Sequence, residues 1–182
     1  MIEIRGKRLT LRTMTRAEYH QSRRRYTPDP LMDPDPYQYN PVRADQAFDL
    51  LCTRENVYPH VGIFLPDGPI IGCLCFKRID RDRGRCEVGI ALDQDVHKGQ
   101  GYGSEAFALA IDYAFDTLNM ARVYADTMGS NVRMRRIMER QGFRCYSRLQ
   151  NAYDMRGRWE DRLDYVLDRS VWERRRNTSD AP

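Results

Sequence analysis

Gly99, Gly101 and Gly103 stand at alternate positions in VHKGQGYGSEA, residues 96–106, and the stretch that follows repeats apolar residues at helical spacing. Glycine loses more backbone freedom on folding than any other residue, so three in such a short run call for a backbone reason. A helix N-terminus preceded by residues without Cβ lets several N–H groups converge on one anion, and the helix dipole favours negative charge there. A Walker A loop would need Gly, four residues, then Gly-Lys-Ser/Thr, which the chain does not contain. A Rossmann fingerprint would need glycine at position 104, where Ser104 stands, and a turn directly after a strand, whereas residues 93–98 intervene. The pattern left is a basic residue or Gln, two residues, Gly, one residue, then Gly or Ala, met by Lys98-Gly99-Gln100-Gly101-Tyr102-Gly103.

The elements that must hold this segment are readable on either side. RCEVGIAL, residues 85–92, reads as a strand, and Phe107, Ala110, Ile111, Ala114 and Leu118 mark an amphipathic helix. ARVYADTM is a strand, and SNVRMRRIMERQGF is a helix closed by Gly142. Upstream, RLTLRTM alternates as a half-buried strand, and TRAE is a capping box at Thr15 that starts a helix running to about Tyr26. The prolines of residues 27–41 exclude regular structure there, and a second helix fits residues 43–55. YPHVGIFL and IIGCLCFKRI flank PDGP as a hairpin, RDRG turns into RCEVGIAL, and a last hairpin closes around RGRW. The order β-α-α-β-β-β-α-β-α-β-β gives a mixed α+β sheet.

At 182 residues the chain is expected to be one domain, residues 1–172, with a basic and polar tail over 173–182. No apolar run reaches the ~18 residues of a membrane span, and the charged N-terminus reads as neither signal nor transit peptide. Five cysteines show no framework spacing; Cys73 and Cys75, two apart on an apolar stretch, read as core thiols, not as metal ligands, and a reducing cytoplasm fits. The net charge of +4 comes mainly from arginine clusters at 23–25, 133–136 and 174–176, which read as solvated faces or as contacts to a polyphosphate. With no nucleic-acid module and no stacking motif, RNA is not the expected partner.

EVGIAL, HKGQGYGSEA, NVRMRRIMERQGF and GRWEDRLDYVL together resemble the GNAT superfamily of acyl-CoA-dependent N-acyltransferases over roughly residues 8 to 169. The nearest branch acetylates ribosomal-protein N-termini, along with its spermidine and aminoglycoside relatives. The resemblance implies a mostly antiparallel sheet flanked by about four helices and splayed between its fourth and fifth strands, EVGIAL and ARVYADT. It further implies that acetyl-CoA lies in that slot, with its pantetheine paired to Ile90 and Leu92. On the same resemblance Gly99 belongs to the cofactor-binding loop, Gln100, Gly101, Gly103 and Ser104 would donate N–H groups to the pyrophosphate, and Lys98 would reach a phosphate. Asn131 matches the family asparagine that touches the pantetheine arm, and the resemblance lets Arg135 or Arg136 meet the 3′-phosphate, beside a reading of both as a solvated face.

The implied reaction is attack of an amine on the thioester, in a monomer or homodimer. A backbone N–H near Leu92 would stabilise the oxyanion. Glu87 is the first candidate for the base, beside a reading as a strand glutamate paired to Arg78 or Arg85; Asp33, Asp35 and His97 are alternatives. Many members return a proton from a tyrosine at the position of Met138, which cannot donate, so the acid falls to Tyr146, Ser130, water or none. The segment with Asp33, Asp35 and Tyr37 would bind a cationic acceptor: a peptide N-terminus, a polyamine or an aminocyclitol. The missing tyrosine leaves open a second reading, a non-catalytic acyl-CoA sensor on the same fold.

Overall fold

The computed structural model describes residues 2–30, 32–51, 60–66 and 68–179. Two short strands, β1 (Glu3–Arg5) and β2 (Thr10–Thr13), lead into helices α1 (Arg16–Arg25) and α2 (Pro41–Leu51). A meander follows: β3 (His60–Phe64), β4 (Ile70–Asp80) and β5 (Arg85–Leu92). Then come α3 (Tyr102–Asp116), β6 (Arg122–Met128), α4 (Val132–Arg140), the hairpin β7 (Arg144–Asp154) and β8 (Trp159–Asp168), and α5 (Arg169–Ser179). The expected turn at PDGP, the helix beyond Leu51 and the start of the strand at Tyr58 involve residues outside the described ones.

Local chemistry sets the element ends. The Thr15 Oγ1 accepts from the Glu18 amide at 3.3 Å while the Glu18 Oε2 accepts from the Thr15 amide at 2.8 Å, the capping box expected for α1. Gly142, at φ +90°, closes α4: its N–H donates to the Glu139 carbonyl and that of Phe143 to the Met138 carbonyl. Arg156 and Gly157 both have positive φ, the two-residue turn whose twist matches the strands of the β7–β8 hairpin.

The eight strands form one sheet in the order β1-β2-β3-β4-β5-β6-β8-β7, antiparallel throughout except for β5 and β6. That parallel pair holds for three residues only, ending at Glu87 opposite Tyr124. From Val88 to Leu92, β5 keeps β4 on one side and, among the described residues, has no strand on the other. This is the expected splay, here between β5 and β6 because β1 precedes the strands read from the sequence.

The two faces differ. Phe107, Ala110, Ile111, Ala114 and Phe115 of α3, with Met138 and Trp172, bury one face of the sheet in the main core. Tyr19, Ala44 and Phe48 of α1 and α2 pack with Phe64 and Ile70 in a smaller cluster on the other. A residue alternation of two puts Glu87, Gly89 and Ala91 on the α1–α2 face. Residues 173–179 of the stretch read as a tail continue helix α5, anchored by Trp172, which stacks on Phe115 at 4.9 Å and donates to Asp112 Oδ1 at 2.7 Å.

Candidate active site

The loop between β5 and α3 is built by two of its three glycines. Gly99 at φ +77° and Gly101 at φ +86° take the left-handed conformation, whereas Gly103 lies inside α3 with ordinary helical backbone. The Gly101 carbonyl accepts the first helical bond from Glu105, which leaves the amides of Tyr102, Gly103 and Ser104 to point out of the helix end. Arg8, far away in sequence, clamps this end: its Nη1 donates to the Gln100 carbonyl at 2.9 Å and its Nε to Glu105 Oε2 at 2.9 Å. Nothing local in the sequence marks Arg8.

A cleft of about 830 Å³ runs from this loop along the open edge of β5 to the start of α4. Ile90, Leu92, Lys98, Gly99, Gly101, Gly103, Ser104 and Asn131 line it, so eight of the nine expected cofactor residues meet there. Gln100 does not line it; its side chain turns back to the Val96 carbonyl. Arg133, Arg136 and Arg140 add a cationic wall from one side of α4, while Arg135 turns away to the Gly129 carbonyl at 3.1 Å. Asn131 caps α4 through Oδ1, which accepts from the Met134 amide at 3.1 Å, and its Nδ2 faces Met32 Sδ at 3.2 Å.

Lys98 is held by carboxylates: its Nζ lies 2.7 Å from Asp29 Oδ2 and 2.6 Å from Asp95 Oδ1. Burial draws its pKa down, but the bonds to Asp29 and Asp95 outweigh that and leave it raised. Of the segment before α2, Thr27, Asp29 and Met32 line the cleft, together with Tyr26. Asp33, Asp35 and Tyr37 lie outside its lining. Asp35 pairs with Arg156 of the β7–β8 turn at 2.9 Å, and Tyr37 meets Tyr26 edge-on at 5.0 Å.

Glu87 is buried, 8 % exposed, at the fork where β6 leaves β5. Its Oε2 accepts from Arg78 Nη1 at 2.9 Å, the pairing that was one of the two sequence readings, and Lys77 Nζ lies 3.6 Å from Oε1. Tyr124 is its cross-strand neighbour, and Tyr146, half exposed, meets the Tyr124 ring edge-on at 5.9 Å. Burial, and next the Asp164 carboxylate, raise the Tyr146 pKa, so its hydroxyl stays protonated at neutral pH. Met138 is fully buried in the core, and the Ser130 Oγ is buried with no hydrogen-bond partner among the described residues. His97 sits beside Tyr102, at 6.5 Å between ring centroids.

Residues 8–144 match the model of the acetyltransferase (GNAT) domain. The chain belongs to the GNAT acetyltransferase family. It is 29% identical over 137 residues to the probable N-acetyltransferase YjcK of Bacillus subtilis, covering 68% of this chain and 75% of that one. Its fold is that of a chimera of the spermidine N-acetyltransferase SpeG from Vibrio cholerae and hSSAT, with a TM-score of 0.82 and 20% identity over 92% of this chain and 99% of the other. The spermidine N-acetyltransferase from Vibrio cholerae in complex with CoA and spermine superposes with a TM-score of 0.77, at 19% identity over 92% and 99%. In this GNAT chain, the amides at the α3 N-terminus, the arginine wall and the unpaired edge of β5 are the donor set that a pyrophosphate, a further phosphate and an amide-bearing arm require. Among the described residues, no helix is long and apolar enough to cross a membrane.

Proposed function

We propose that this chain moves the acetyl group of acetyl-CoA to a primary amine, such as a protein N-terminus, a polyamine or another small cationic amine, by direct transfer in a ternary complex. The observation that carries this reading is one continuous cleft joining the α3 N-terminus to the start of α4, lined on β5 by Ile90, Ala91 and Leu92 beyond the point where its pairing with β6 ends. Gly99, Gly101, Gly103, Ser104 and the Gln100 amide hold the diphosphate, Arg136 the remaining phosphate, and Ile90, Leu92 and Asn131 the arm. Lys98 keeps Asp29 and Asp95 beside the loop and adds its charge to it. The reading also draws on the likeness to proteins named as N-acetyltransferases.

The chain's own residues then have four tasks. Holding thioester and amine as near-attack partners contributes most, up to roughly 7–11 kcal/mol in ideal cases. Glu87 takes the proton that an alkylammonium must lose before its nitrogen can attack. The Leu92 amide faces the developing oxyanion, and Tyr146 returns a proton to the leaving thiolate. Asp33, Asp35 and Tyr37 receive the cationic end of the acceptor, in a segment whose prolines lower the cost of ordering it.

Thiol release from acetyl-CoA, run against peptides, polyamines and aminoglycosides with products read by mass spectrometry, tests the proposal. Turnover with at least one amine is expected. Binding of acetyl-CoA without turnover on any amine points to an acyl-CoA sensor, and failure to bind coenzyme A at millimolar concentration overturns both.

A further inference from the structure

On the α1–α2 face, neighbouring rows cross the sheet as His60–Cys75–Gly89 and Lys77–Glu87. Gly89 leaves a gap in this floor, and the Lys77 ammonium lies over it: a Cβ on Gly89 would stand 3.3 Å from Lys77 Nζ. The same Nζ is 3.6 Å from Glu87 Oε1. A primary amine of the protein thus lies over the β5 backbone two residues beyond the fork, beside the carboxylate assigned as base, on the side opposite α3. Its side chain is 42% exposed, so four methylenes are free to swing the nitrogen.

The composition sharpens the point. Of 30 lysines and arginines, only Lys7, Lys77 and Lys98 are lysine. A guanidinium stays protonated at any ordinary pH and is no nucleophile, so the arginines are inert to acyl transfer. Lys98 is locked between two aspartates and Lys7 is exposed in the β1–β2 turn. Lys77 alone stands next to Glu87.

We propose that Lys77 is itself an acetyl acceptor of this site, modified in its own chain when no external amine is bound; the inference rests on the acetyltransferase reading above. Glu87 takes one proton from the ammonium and passes it to water. The freed Nζ lone pair attacks the thioester carbonyl, an N–C bond forms and the C–S bond breaks. The second proton lost by nitrogen goes to the departing thiolate, so the products are N-acetyl-lysine, the free thiol and one proton. Acetylation removes one of the two cations paired with Glu87 and leaves a neutral amide over Gly89, where an acceptor nitrogen must come. The modified enzyme therefore turns over external amines more slowly.

The test incubates the full chain with isotope-labelled acetyl-CoA and no amine, then maps label on peptides, with Lys7 as the gauge of uncatalysed acetylation. Label is expected on Lys77 at least about tenfold faster than on Lys7, the proximity advantage of an amine held at the site. The rate constant is independent of protein concentration, Glu87→Gln slows it, and Lys77→Arg carries none at this position. A saturating amine that the unmodified enzyme turns over suppresses it, a readout that needs no variant. Label on Lys77 no faster than on Lys7, in protein that binds coenzyme A and acetylates an external amine, overturns this inference and leaves the function standing. Absence of both binding and external turnover overturns the function on which it rests.

Discussion

At Gly101 the backbone stands at φ +86°, and a Cβ there would lie 2.9 Å from Arg8 Nη2. Gly101→Ala therefore strains the loop by about 1–2 kcal/mol and pushes Arg8 off the Gln100 carbonyl, which together spoil the convergence of amides at the helix end. Affinity for coenzyme A is expected to fall roughly tenfold, read by titration calorimetry, and an unchanged affinity would remove the loop from the site. Gly103→Ala is the contrasting case, since among the described residues its Cβ would meet only Leu92 Cδ1 at an ordinary 3.7 Å and alanine favours a helix by about 1 kcal/mol. The sequence shows three equivalent glycines because spacing carries no φ, and only the fold separates two backbone devices from a helical residue kept small beside the cleft. Glu87 illustrates the same limit. Its strand position was readable, but its Arg78 and Lys77 partners follow from the β4–β5 register, so its two roles were indistinguishable beforehand. As the proposed base, Glu87→Gln should lower kcat about 10²-fold while leaving coenzyme A binding intact.

Helices and strands with strong local signals were legible: the Thr15 box, the Gly142 closure and the Arg156–Gly157 turn each depend on residues within a few positions. Two elements lacked such signals. β1 is three residues long, too short to show an alternation. Helix α5 hides behind its arginines, since Trp172 is its main buried anchor at 8% exposed and no apolar stripe repeats along it. Its arginines are settled from outside, Arg176 on Asp116 at 2.7 Å and Arg175 on the Arg140 carbonyl. The element nonetheless braces the site, because it packs against α3 through the Trp172–Phe115 stack and against Gly142 at the end of α4. Trp172→Ala removes that stack and the bond to Asp112, and is expected to cost about 3–5 kcal/mol in urea unfolding. A loss under 1 kcal/mol would mean that α5 is an appendage and that the tail reading was the better one.

Across the whole molecule, the contacts that sequence patterns could not supply are those joining distant segments: Arg8 to Gln100, 92 residues apart, and Asp35 to Arg156, 121 apart. Such pairings are encoded by the sheet order, not by any local period, and the same is true of the polar groups brought together beneath α1. His60 is one of these, with its Nδ1 buried and unpartnered among the described residues. Burial, then the charges of Lys77 and Arg23, push its pKa from 6.5 down to about 4. The unfolded chain takes up this proton as pH falls through 6.5, whereas the folded chain resists until about 4, so unfolding binds about one more proton in between and stability declines across that window. Asp93 acts with the opposite sign, since burial raises its pKa and the folded state gains its proton first on acidification. Glu18, lowered to about 2 mainly by its bond to Arg12, contributes stability above 4.5 and loses it only in stronger acid. His60→Gln isolates the histidine: urea midpoints at pH 7, 6 and 5 should fall less steeply than in the unmodified chain, by about one proton in the slope of stability against pH. Parallel slopes would mean that the imidazole meets solvent or a partner in solution, and the acid sensitivity of this face would then belong to its carboxylates.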